Sequence, residues 1–373
     1  MTLLTVNAGS SSLRLTAFSR DGQMVATRHH AGTEAPPAAL EEFLSTPGID
    51  AIEGVAHRIV HGGERLVQPC LIDVDIEAEI ARLAPLAPLH NPAALKWIRL
   101  CRALLGAAVP QVAVFDTAFY AQLPEVARRY ALPKALVQRH GLRRVGFHGL
   151  AHEAMWRRWR ALRPDIADGG RVISIQLGAG CSVTAIDRGR AVDTSMGFTP
   201  LEGLVMATRC GDVDPGLLAF LQRAEGLTSE QLERLLNDQS GLLGLSGESA
   251  DMKRLLASSQ PDARLAIDVY CYRVRKYIGA YWAVLGDVEA ILFGGGVGEQ
   301  APIVRRQILA GLESLGIVLD VAANEAARGT EARISHADSR VAVWVTTVDE
   351  AGVLARMART VIAAAATRSG AHV

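Results

Sequence analysis

Two amide side chains, Asn7 and Gln176, stand at equivalent places in a hairpin that this 373-residue chain contains twice. Leu4 to Gly22 is echoed by Ile173 to Gly189, with a turn one residue shorter. In each copy an alternating apolar and polar stretch ends in the amide. A small, Gly-containing turn follows, and a second alternating stretch leads to a polar Gly turn. Such turns let a phosphate approach backbone N–H groups, and the Ser10 and Ser12 hydroxyls add donors to the first. Taken singly, each is also an ordinary tight turn; together they suit clasping one phosphate chain from opposite sides. A third small-residue segment, Gly294-Gly295-Gly296-Val297-Gly298-Glu299, follows the apolar run Ala290 to Phe293 and suits backbone approach to a nucleotide. It lacks the acidic partner of a dinucleotide fingerprint and the Gly-Lys-Ser/Thr of a Walker A loop, so alone it equally describes a strand-to-helix turn.

The elements that must position these residues alternate between strand and helix, the pattern of an α/β architecture. After the first hairpin come a strand from Ile52 to Val60, a helix near Pro92 to Leu105 and a buried strand from Gln111 to Phe115. Asp116 ends that strand and so points toward the crevice where ligands gather in open α/β sheets. A second unit begins near Phe119. It holds the second hairpin, a helical region from Pro215 to Asn237, a long helix from Pro261 to Leu285, the strand Ala290 to Phe293 and a helical run from Pro302 to Leu315. A strand from Arg340 to Thr346 and a helix from Glu350 to Ala365 complete the pattern, the helix packing back on the first domain. Glu350 at that helix start reads as a first-turn carboxylate favoured by the macrodipole.

The length exceeds that of a usual single core, so two domains are expected. Basic and acidic residues balance at 39 each, which leaves no global field for nucleic acid or a membrane surface, and no apolar stretch is long enough to span a bilayer. The five cysteines are scattered without ligand spacing, which fits reduced thiols in the cytoplasm.

At this point the motifs add up to a family. The blocks Asn7-Ala-Gly-Ser-Ser-Ser12, His57-Arg-Ile-Val-His-Gly-Gly-Glu64, Pro88-Leu-His-Asn-Pro92, Phe115-Asp-Thr-Ala-Phe119 and Gly146-Phe-His-Gly149 occur in one order. Val192-Asp-Thr-Ser-Met-Gly-Phe-Thr-Pro-Leu-Glu-Gly203 and Thr208-Arg-Cys-Gly-Asp-Val-Asp-Pro215 follow. Over nearly its whole length the chain resembles the acetate kinase family, of the acetate and sugar kinase, Hsp70 and actin superfamily. The resemblance implies two RNase H-like domains around an active-site cleft, residues 1–118 with 352–373 and residues 119–351, with the second carrying the nucleotide site and the dimer interface. It implies a homodimer and magnesium- or manganese-dependent phosphoryl transfer between ATP and acetate or a similar short carboxylate.

The resemblance also implies roles. Arg58 and Arg209 match the active-site arginines, Asp116 a catalytic carboxylate and His148 a transition-state donor. A carboxylate nucleophile is already ionised at neutral pH, so Asp116 has no proton to remove, and an orienting or magnesium-shell role is expected of it. Asn7 and Glu350 match the metal-associated positions; Val60, Leu89, Phe147 and Pro200 match the methyl pocket. Nucleotide contacts fall on Ser10, Ser12, Arg14, the second phosphate turn Gln176, Leu177, Gly178, Ala179 and Gly180, then Asp251, Met252 and Lys253, and Gly296, Val297, Gly298, Glu299 and Gln300. Departures cluster on the donor side: Gln176 replaces His, Ala179 Asn, Arg14 Lys, Lys253 Arg and Gln300 Asn. An acetate kinase is therefore expected. A propionate kinase, an enzyme with another donor such as pyrophosphate, and a catalytically degenerate phosphate or nucleotide sensor remain as alternatives.

Overall fold

The computed structural model describes residues 1–9, 12–31, 38–88 and 90–370, and divides the chain into two compact units, Met1–Ala121 with Asp349–Val373, and Gln122–Val348. The crossings lie at 121/122 and 348/349 rather than 118/119 and 351/352, which puts Glu350 in the first unit. Ser10 and Leu89, expected at the first phosphate turn and the methyl pocket, lie outside the described residues.

The first unit is built on β1 (Leu3–Ala8), β2 (Ser12–Phe18), β3 (Met24–Ala31), β4 (Gly54–Ile59), β5 (Cys70–Leu71) and β6 (Gln111–Phe115), in the order β3-β2-β1-β4-β6-β5. The first three form an antiparallel meander, and β1, β4 and β6 run parallel. Alternation in the hairpin buries Leu4, Val6, Leu13 and Leu15 against Phe43, Trp97 and Cys101. Ile59 and Phe115 pack with Ile80, Leu83 and Ile98 in a second cluster.

The second unit repeats the plan with β7 (Arg171–Leu177), β8 (Cys181–Asp187), β9 (Arg190–Thr194), β10 (Ala290–Gly294), β11 (Ala332–Arg333) and β12 (Ala342–Val345), in the order β11-β12-β10-β7-β8-β9. Strand β10 is parallel to both β7 and β12, while β7-β8-β9 is the meander. Read from the meander, both sheets have the same strand order, so the repeated hairpin is the visible part of a duplicated, RNase H-like α/β fold. The long helix Pro261–Leu285 has a face of Ala263, Ala266, Ile267, Tyr270, Val274 and Ile278 buried in the core.

Three local expectations differ. The helical region from Pro215 is two helices, Pro215–Glu225 and Ser229–Asp238. Gly226 ends the first at φ +66°, and Thr228 with Gln231 forms a capping box for the second. The segment after β10 is itself a short helix, Gly295–Gln300, and the following one stops at Leu309. Neither meander's third strand was expected, because β3 and β9 are too polar and mixed to show a clear period.

Candidate active site

In the first unit the functional side chains meet because parallel strands bring their carboxyl ends to one edge. Register places Arg58 opposite Val114, with Asp116 just beyond β6, and sets Val6 beside His57 so that Asn7 neighbours Arg58. Arg58 donates to one Asp116 oxygen, Oδ2, from Nε at 3.1 Å and Nη2 at 2.5 Å, and from Nη1 to Asn7 Oδ1 at 3.1 Å. Asn7 Nδ2 donates to Glu350 Oε2 at 2.6 Å. Burial works against the Arg58 charge, but Asp116 and Glu350 together outweigh it and hold the guanidinium above its usual range. Asp116 is fully buried, and its second oxygen, Oδ1, has no hydrogen-bond partner. A buried carboxylate oxygen left open at the carboxyl edge of a sheet is a candidate ligand position.

The turn after β4 is shaped by Gly62 and Gly63. A Cβ on Gly62 would lie 2.1 Å from the Leu66 carbonyl oxygen, and Gly63 adopts φ +67°. The Gly62 backbone N–H donates to Thr117 Oγ1 at 3.0 Å, which ties the ends of β4 and β6 together. Val60 is buried at this turn. Glu350 opens the helix Glu350–Gly370, but the N-terminal capping bond comes from its neighbour, Asp349 Oδ1, which accepts from Gly352 N at 2.8 Å. Arg14 lies opposite Asn7 on β2 and is exposed, and Ser12 O accepts from Gly9 N at 2.8 Å across the first turn.

In the second unit His148 precedes the helix Gly149–Leu162 in a left-handed conformation, φ +58°, one of three such non-glycine residues among the described residues. Strain of this kind in a polar side chain gathers at functional sites. A Cβ placed on Gly180, in the turn between β7 and β8, would lie 3.1 Å from His148 Nε2 and 3.5 Å from Arg209 Nη1, so loop, imidazole and guanidinium converge on one point. Arg209 donates to the Pro200 carbonyl at 3.3 Å, which brings Pro200 to the same place. Phe147, adjacent to His148, is buried.

A cavity of about 990 Å³ opens beside this point, lined by Gly178, Ala179, Asp251, Met252, Lys253, Gly296, Val297 and Gln300 among the expected nucleotide residues. Asp251 caps the helix Met252–Ala257 by accepting from Lys253 N and Arg254 N. Five other expected residues of this unit lie outside the lining. Leu177 and Gly298 are buried, Leu177 because its position in β7 points it into the core, while Gly180 faces His148. Glu299 turns back to accept from Gly295 N at 3.1 Å. Gln176 directs Nε2 to within 2.8 Å of a Cβ built on Gly295, and its Oε1 is buried without a partner.

The apolar walls, Leu242, Leu256 and Ile303, were not expected; the only sequence signal was Ala301-Pro302-Ile303 directly after Gln300. Arg305 was also missed. It is fully buried and donates to the carbonyls of Gly298, Glu299, Asn324 and Ala327 and to Asn324 Oδ1, at 2.7 to 3.0 Å. Burial pushes its pKa down to about 10, which leaves it charged at neutral pH under the glycine segment that lines the cavity.

The acetokinase family model matches residues 19–356. The chain is 46% identical over 313 residues, 83% of its length and 75% of the relative's, to the acetate kinase of Chloroherpeton thalassium. The crystal structure of Porphyromonas gingivalis acetate kinase superposes with a TM-score of 0.89 at 37% identity, covering 97% of this chain and 99% of that one. A propionate kinase from Francisella tularensis superposes with a TM-score of 0.88 at 31% identity, covering 96% and 99%. With the paired carboxyl-edge cluster and the glycine-lined cavity, these matches establish that the chain belongs to the acetokinase family and is a kinase whose acceptor is a carboxyl group.

Proposed function

We propose that the chain catalyses reversible transfer of the γ-phosphoryl group of ATP to acetate by direct in-line attack of a carboxylate oxygen on phosphorus, giving acetyl phosphate and ADP. The observation that carries this reading is the Arg58 cluster. Three of the five guanidinium N–H groups are pinned by Asp116 and Asn7, and the other two remain to hold the acceptor carboxylate. The nucleophile needs alignment and charge neutralisation rather than a base. Asp116 therefore serves as an orienting group. In the second unit, His148 and Arg209 supply donors for the transferring phosphoryl, and the glycine-lined cavity takes the nucleoside.

Asp116 Oδ1, Glu350 and Asn7 are hard oxygen donors, and no closed cage of three or more His, Cys, Asp or Glu residues occurs among the described residues. This donor set fits magnesium that keeps several waters. When bound, magnesium neutralises phosphate charge as it develops. Because Asp349 supplies the capping bond, Glu350→Gln is expected to move the magnesium dependence of the rate to higher concentration with little change in melting temperature. An unmoved magnesium curve with a loss of roughly 0.3 to 1 kcal/mol would make Glu350 a helix-end charge only.

The same reading includes a cytoplasmic homodimer. Supporting it, all five cysteines are unpaired thiols, and the helix Pro215–Glu225 buries none of its residues while exposing Leu217 and Phe220. Among the described residues no helix is long and apolar enough to cross a membrane.

Hydroxylamine trapping tests the activity. Purified protein with acetate, ATP and magnesium is expected to yield acetyl hydroxamate. Propionate is expected to react more slowly, since one methylene shifts selectivity by about 1 to 3 kcal/mol. Folded protein that makes no hydroxamate with any nucleotide, pyrophosphate or polyphosphate would instead be a ligand sensor. A product formed with pyrophosphate alone would assign the Gln176 turn to a different donor.

A further inference from the structure

Behind His148 runs a line of hydrogen bonds that no substrate group reaches. Ser174 Oγ lies 2.8 Å from His152 Nδ1, His152 Nε2 lies 2.8 Å from Ser182 Oγ, and Ser182 Oγ lies 2.9 Å from His148 Nδ1. Ser174, His152 and Ser182 are fully buried. The line follows from two periodicities. His148 and His152 are one helical turn apart and face the same way. Ser182 pairs with Gln176 across the β7-β8 ladder, which makes Ser174 its diagonal neighbour on the same sheet face.

Counting hydrogens gives this line a direction. Complete burial holds His152 well below its ordinary pKa, so it is neutral, with one ring nitrogen donating and the other accepting. Ser182 has one hydroxyl hydrogen between two imidazole nitrogens, so it donates to one and accepts from the other. If Ser182 donated to His152, His148 would need its hydrogen on Nδ1. It would then either turn a lone pair toward the point shared with Gly180 and Arg209, or carry a second positive charge beside the Arg209 guanidinium. Both are unfavourable where a phosphoryl oxygen is to be bound.

We propose that Ser174, His152 and Ser182 are positioning residues whose hydrogen bonds run in one direction, Ser174 to His152 to Ser182 to His148, and so fix neutral His148 with its hydrogen on Nε2. The inference deepens the kinase reading and rests on it for the identity of the acceptor oxygen. Ser174 also lies 3.9 Å from Met155 Sδ, a weaker acceptor than His152 Nδ1 at 2.8 Å, so the hydroxyl is committed to the ring. The other nitrogen's hydrogen bond sets an imidazole tautomer, and here that setting keeps a donor aimed at the loop without cationic charge.

The test reads the tautomer without turnover, so it is separable from failure of the kinase assay. In protein labelled with ¹⁵N-histidine, long-range proton–nitrogen correlations at neutral pH are expected to show His148 protonated at Nε2 alone, its signals assigned by their loss in His148→Gln. Ser182→Ala is expected to mix the two tautomers and to lower kcat by about 10- to 100-fold with KM for ATP nearly unmoved, the usual range for removing a group that orients a functional imidazole. Ser182→Thr, which keeps the hydroxyl, is expected to restore both the tautomer and most of kcat. Wild-type His148 protonated at Nδ1 alone, or at both nitrogens, overturns the proposal. A folded Ser182→Ala protein with unchanged tautomer and full kcat does so as well.

Discussion

Replacing Arg209 by Ala is expected to lower kcat for acyl phosphate formation by about 10³-fold, within the range seen when one transition-state donor or an arginine finger is removed. Arg209 donates to the Pro200 carbonyl and to Met206 Sδ, and no carboxylate among the described residues forms an ion pair with it. Burial holds its pKa below the ordinary arginine value, although the group stays charged. A cation kept half-buried without a counter-ion is poised for an anion that arrives during the reaction, and its attraction grows as the transferring phosphoryl spreads negative charge. About 4 kcal/mol of transition-state stabilisation should therefore disappear while the melting transition stays cooperative, since removing an uncompensated charge relieves a burial cost. Arg209→Lys, which keeps the charge but loses the planar fork, should fall between the two. Steady-state kinetics beside a thermal melt measure this, and wild-type turnover in the Ala protein would take Arg209 out of the mechanism.

The second large effect is on stability. Arg305→Ala is expected to cost about 3 to 5 kcal/mol, because four buried carbonyls and one side-chain amide oxygen lose their donor at once and a cavity is left. For a unit of this size the melting temperature should fall by roughly 10 °C. Two of those carbonyls, on Gly298 and Glu299, belong to the segment beneath the nucleoside cavity, so the apparent KM for ATP should rise as well. A single guanidinium joins two separate stretches of backbone here, 298–299 and 324–327, and Lys, with a compact ammonium in place of the fork, should recover only part of the loss. An unchanged denaturation midpoint in Arg305→Ala would show that the carbonyls find other partners cheaply.

What could be read from the chain depended on whether the relevant contacts were local. The doubled hairpin was legible because alternation, a terminal amide and a small turn all fall within twenty-odd residues of contiguous sequence. The carboxyl-edge position of Asp116 was legible because a short strand, apolar from Val112 to Phe115, ends abruptly in a carboxylate. Arg305 left no such trace: five acceptors drawn from 298–299 and 324–327 satisfy it, and only its burial distinguishes it from any other helix arginine. The line behind His148 was hidden for a related reason. Ser174, His152 and Ser182 are unremarkable residues in their own elements, and only the diagonal register of β7 on β8 beneath one helix brings them into contact. The break at Gly226 to Thr228 was readable in principle, since Gly followed by a Thr-x-x-Gln capping box is a stop and a start, yet the continuous apolar period on either side masked it.

The first unit's dependence on the helix Glu350–Gly370 has a consequence for biosynthesis. Val353, Leu354 and Ala358 are buried in that unit, and Ile362 occupies the space over Gly54 that a Cβ would fill. The ribosome makes β1 to β6 first and then all of Gln122–Val348 before the helix that completes them, an interval of roughly 10 to 45 s at ordinary elongation rates. Through that interval the nascent sheet lacks the helix that covers it, whereas the second unit has its whole sequence in hand. Glu350 emerges on the same helix that closes the sheet, so the carboxylate that accepts from Asn7 arrives together with that helix. On the role proposed for Glu350, a polypeptide still lacking that helix would have an incomplete magnesium site, and translation itself would time the onset of full activity.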